Sequence, residues 1–129
     1  MRISLLVPGP LDAVSGGYGY DRRMLAGLRA LGHEAEAVEL AGRHPLPDDA
    51  ALASARAAWG ALPPDAVPVI DGLGLPAFAP LADALAQRGA VALVHHPTAL
   101  ETGFPEADRE ALRAAERGLF GRAARIVAT

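Results

Sequence analysis

Five short apolar runs, separated by helix-patterned segments, constrain this chain more than any other feature. The first run, Arg2 to Val7, is nearly continuous (Ile3-Ser4-Leu5-Leu6-Val7), as a strand buried on both faces requires. A turn-rich stretch follows, from Pro8-Gly9-Pro10 to Ser15-Gly16-Gly17-Tyr18-Gly19-Tyr20. A helix then presents Met24, Leu25, Leu28 and Leu31 on one face, with Gly32 placed to cap its end. His33 to Leu40 alternates Glu34, Glu36 and Glu39 with apolar neighbours, which predicts a half-exposed strand near a sheet edge.

The pattern continues to the end of the chain. Asp48-Asp49 opens a second helix carrying Leu52, Ala55, Trp59 and Leu62, and Pro63-Pro64 closes it. Val67 to Ile70 is the third strand and runs into Asp71-Gly72-Leu73-Gly74. A third helix holds Phe78, Leu81, Ala82 and Leu85 and stops near Gly89. Ala90 to Val94 is the fourth strand and ends at His95-His96-Pro97. The loop Thr98 to Pro105 leads to a charged helix, Glu106 to about Leu119, and to a last strand, Arg125 to Ala128. Strands alternating with helices imply right-handed βαβ units. The expected fold class is therefore α/β: one Rossmann-like, three-layer α/β/α domain spanning 1–129, with a five-stranded parallel sheet of order 2-1-3-4-5. A chain of 129 residues is one domain's worth. Stopping on a strand with no covering helix, it reads as part of something longer.

Composition removes several function classes. The twelve basic residues are all arginine and scattered, and the net charge is −3, so nucleic acid is not an expected partner. The absence of cysteine excludes disulfides, thiolate catalysis and cysteine-ligated zinc. The first apolar run is too short for a signal-peptide core or a membrane span, so a cytoplasmic location is expected, with peripheral membrane contact left open.

Ligands of doubly wound sheets sit at the carboxyl ends of the strands, where strand order reverses. With the order 2-1-3-4-5, the loops after strands one, three and four become neighbours. They carry Gly16-Gly17, Asp71-Gly72 and His95-His96. The glycine pair either shapes a turn or lets backbone approach a bulky ligand at a helix N-terminus that favours phosphate. It is neither a dinucleotide fingerprint nor a Walker loop, which would need a lysine. Asp71 reads equally as a turn former or as a carboxylate reaching a cleft. Successive residues at a strand end point to opposite faces, so one of His95 and His96 can face the cleft while the other packs. Glu101 can line the same cleft. Metal binding by the two histidines is disfavoured, because adjacent side chains diverge and no third ligand is evident nearby. His33 and His44 read as surface residues. Arg109, Arg113 and Arg117 read as a solvated helix face.

These residues resemble a known family. Ser15 to Arg23, Leu25 to His33, Val69-Ile70-Asp71-Gly72-Leu73, Leu93-Val94-His95-His96-Pro97 and Arg125 to Thr129 look like the N-terminal domain of family 4 glycosyltransferases. Those are retaining GT-B enzymes with two Rossmann-like domains facing across a cleft. The resemblance implies that Gly16 and Gly17, with Tyr18 beside them, lie against the diphosphate of a nucleotide-sugar donor. It implies that His95 contacts the transferred sugar, with His96 as the alternative, and that no metal or other cofactor is needed. The acceptor would be a sugar, lipid or small molecule. The family's donor-binding C-terminal domain is absent, so the chain alone is expected to fold but transfer no sugar, and an uncovered sheet face would promote homodimers. The alternative is a stand-alone flavodoxin-like binding or regulatory module. If the first reading holds, His95 and Gly16 share one end of the sheet, with Tyr18 and Tyr20 at a cleft mouth.

Overall fold

A computed structural model describes residues 1–11, 16–96 and 103–129. Glu101 lies outside the described residues. The elements are β1 (Arg2–Pro8), α1 (Gly16–Ala30), β2 (Glu34–Leu40), α2 (Asp49–Gly60) and β3 (Ala66–Asp71). They continue with a 3-10 segment (Leu75–Leu81), α3 (Ala82–Arg88), β4 (Val91–Val94), α4 (Glu106–Phe120) and β5 (Arg125–Ala128). All four strand pairings are parallel and the order is β2-β1-β3-β4-β5. The expected α/β class and sheet order are both present.

β1 lies inside the sheet, between β2 and β3, with apolar residues buried on both faces. Ile3, Leu5 and Val7 pack with Leu25 of α1, while Leu6 faces Ile70, Phe78 and Leu119 in a second cluster. The period-two alternation of a strand thus divides one run of residues between two cores. β2 is an edge strand, and its Glu34, Glu36 and Glu39 are exposed. Gly32 follows α1 at φ +90°, a left-handed conformation natural to glycine at a helix end. Asp48 caps α2 by accepting from the Ala51 N–H at 2.8 Å, and backbone bonds from Ala51 and Arg43 hold its carboxyl below the usual carboxylate range.

One element differs from expectation. The segment expected to be a single third helix is split into the 3-10 stretch and the short α3. Pro76 and Pro80 supply no N–H, so the i→i−4 ladder of an α-helix cannot run through them. α4 buries Leu112, Glu116 and Leu119, and Arg113 and Arg117 are exposed. Among the described residues no helix is long and apolar enough to cross a membrane.

Candidate functional site

At the carboxyl edge β3 ends on Asp71 and β4 is followed by His95, and α1, beginning at Gly16, brings Gly17 and Asp21 against that histidine. In α1, Gly17 and Asp21 are four residues apart and therefore on one helix face. Both meet His95. A Cβ on Gly17 would stand 3.0 Å from His95 Cδ2, closer than side chains ordinarily approach. Asp21 Oδ1 lies 2.9 Å from His95 Nε2, and Asp71 Oδ2 lies 3.3 Å from the same nitrogen. The other ring nitrogen, Nδ1, is 3.0 Å from Thr129 Oγ1. That contact follows from strand register, because Val94 pairs with Ala128 and brings the next residues opposite each other. The Nε2–H tautomer satisfies the ring: it donates to Asp21 Oδ1 while Nδ1 accepts from the threonine hydroxyl, and Asp71 Oδ2 lies beside it without a hydrogen bond.

The turn-forming reading of Asp71 holds, and the same side chain meets His95 at 2% exposure rather than opening onto solvent. Its Oδ1 accepts from the Leu73 N–H at 2.9 Å and shapes the turn, while Oδ2 faces the histidine. Asp21 and Asp71 are 0% and 2% exposed, which places two carboxyl groups out of water with an imidazole between them and solvent. Burial first, then the hydrogen bond and charge of Asp71, pushes the Asp21 carboxyl up to about 9. Two adjacent carboxyl groups in so dry a place resist ionising together. Burial, aided by the charges of Asp71, Asp21 and Glu39, also raises the Tyr18 phenol above its usual value.

The solvent side is aromatic. Tyr20, 39% exposed, stands edge-on to His95 with ring centroids 5.3 Å apart. Tyr18 is half-buried, His95 is 19% exposed, and His96 is exposed. The first turn of α1 carries no acidic residue. Gly17, Tyr18, Asp71 and His95 thus share one edge, with His96 turned outward beside them. Asp21 was not singled out in the sequence, although its four-residue spacing from Gly17 was there to be read. A cavity of about 490 Å³ lies at the opposite, amino end, lined by Arg2, Arg29, His33 and Glu34. Its cations are committed: Arg2 pairs with Glu34 and Asp65, and Arg29 donates to the Ala35 carbonyl.

Asp21, Asp71 and His95 each offer a ligand atom, all within 4.8 Å of one another, so the groups beside His95 are the two aspartates and not His96. In comparisons with known proteins, no family model, curated protein or solved structure matches the chain.

The glycine at the head of α1 gives a direct test of this packing. Gly17→Val places a branched side chain against the His95 ring, and the ring must leave Asp21 or the helix must move. The expected cost is about 1–3 kcal/mol, with the fold retained. The His95 side-chain nitrogen signals should move towards solvent-exposed values, and unchanged His95 signals would show that the contact is not close.

Proposed function

We propose that this chain is the acceptor-side domain of a retaining glycosyltransferase of the GT-B type, which draws on a nucleotide-diphosphate sugar. The observation that carries the reading is the meeting of Gly17 and His95 at the head of α1, on the carboxyl edge where strand order reverses between β1 and β3. In this reading the amides at the start of α1 face the leaving diphosphate, and Gly17 keeps the approach clear. His95 forms a fixed wall of the sugar site. Both its nitrogens are engaged within the chain, so hydrogen bonding to a sugar hydroxyl falls to the exposed His96. Donor binding would be completed by a second domain, and the protein would work in the cytoplasm.

A flavodoxin-like small-ligand module is the second reading, favoured by the 2-1-3-4-5 order and by an exposed Tyr20 able to stack on a planar ring. Saturation-transfer NMR separates the two, because it detects millimolar binding. Uridine and guanosine diphosphate sugars should receive signal from the protein, with flavin mononucleotide silent and the response lost in Gly17→Val. Flavin binding without any response from the sugar nucleotides would overturn the glycosyltransferase reading. Sugar transfer by the 129-residue chain alone would keep the glycosyltransferase reading and overturn the expectation that a second domain is needed.

A further inference from the structure

The carboxyl pair under His95 has a second possible occupant besides a proton. Asp21 and Asp71 are buried, and their ion-pair partner is His95, whose imidazole carries no fixed charge. When the two carboxyls share no proton, one oxygen of each, Asp21 Oδ2 and Asp71 Oδ2, is fully buried with no hydrogen-bond partner. Unpartnered buried oxygens are expensive, and groups of this kind are retained when something satisfies them.

We propose that Asp21, Asp71 and His95 form a binding site for one divalent transition-metal ion of the zinc and cobalt class, ligated by a carboxylate oxygen of each aspartate and by His95 Nε2. The separations suit it. Ligands at zinc-like distances of about 2.0–2.2 Å in a tetrahedral set stand about 3.4 Å apart. Nε2 lies 2.9 Å from Asp21 Oδ1 and 3.3 Å from Asp71 Oδ2, and a ligand atom of each of the three residues lies within 4.8 Å of the others, a spacing one ion can span.

The surroundings hold the ligands in place. Thr129 Oγ1 lies on the far ring nitrogen and can accept its N–H once Nε2 takes the ion. The Leu73 N–H fixes the other oxygen of Asp71. Asp21 rides on the second turn of a fifteen-residue helix. One imidazole with two carboxylates selects the class: thiophilic ions lack a sulfur ligand, and magnesium or calcium would not choose a nitrogen. The dipositive charge neutralises the carboxylates and fills the gap between the two orphan oxygens. Entry is from the side of Tyr20, where His95 is 19% exposed. The resemblance noted in the sequence implies no such ion, and the inference does not depend on the sugar-transfer reading.

The test uses the intact chain, stripped with chelator, dialysed and titrated with Zn²⁺ by calorimetry and with Co²⁺ by visible absorption. The expected result is one equivalent bound with micromolar or tighter affinity, intense low-coordination Co²⁺ bands, and conversion of His95 to the Nδ1–H tautomer in its ¹⁵N spectrum. Asp21→Asn and His95→Gln should each weaken binding at least about tenfold, while His33→Gln leaves it unchanged. Should His95→Gln not fold, Asp21→Asn decides, because it preserves shape and removes only the charge. Absence of binding at millimolar Zn²⁺, equal affinity in Asp21→Asn, or a preference for Mg²⁺ would overturn the site. So would binding lost in His96→Gln but kept in His95→Gln.

Discussion

In chelator-treated, ion-free protein, Asp21→Asn will be more stable than the wild type above about pH 6, and the gap will widen up to about pH 9. The Asp21 carboxyl is buried and titrates at about 9, far above an unfolded aspartate. Between those two values the native state holds a proton that the unfolded state has released. Stability therefore falls as pH rises, with a slope approaching 1.4 kcal/mol per pH unit, about 2–3 kcal/mol between pH 6 and pH 8. The contribution is fully present below the unfolded value near 4 and lost as pH passes 9. Asparagine has no such titration, and its amide can donate to the orphan oxygen of Asp71. Urea unfolding at several pH values measures the gap directly. Parallel profiles for the two proteins would mean that Asp21 is ionised and solvated.

Phe78→Ala should cost about 3–5 kcal/mol, the largest effect expected of any single truncation in this fold. Phe78 is 0% exposed and packs edge-on against Trp59, with ring centroids 6.0 Å apart. It heads the largest fully buried side chains, so its removal leaves a cavity that close-packed neighbours can refill only by moving. The 3-10 segment carrying it is pinned by two prolines and cannot easily collapse inward. Against a typical total of about 5–15 kcal/mol, such a loss leaves the fold marginal. A urea midpoint near the wild-type value, with an unchanged slope, would show that the cavity closes.

Particular residues show what could be read from the chain before any fold was seen. The nearly continuous run Ile3 to Val7 announces an interior strand, and the glutamates of β2 announce an edge. The order 2-1-3-4-5 built on them brings Gly17, Asp71 and His95 to one end. The split of the third helix was visible as Pro76 and Pro80, but the apolar spacing of Phe78, Leu81 and Leu85 suggests a longer helix. Asp21 is the instructive case. It follows Tyr20 and precedes Arg22 and Arg23, so its neighbours suggest a solvated helix start. Its helical phase, four residues after Gly17 and four before the buried Leu25, places it on the inner face. The contact of His95 with Thr129 was not legible, because it depends on the register between β4 and β5.

The most direct measurement is a two-dimensional ¹H–¹⁵N titration of the chain with uridine and guanosine diphosphate sugars. Shifts confined to Gly17, Tyr18, Tyr20, Asp71, His95 and His96, and abolished by Gly17→Val, are the result predicted for a sugar-nucleotide site at the carboxyl edge. Shifts centred instead on Arg2, Arg29, His33 and Glu34, at the amino end of the sheet, would contradict it.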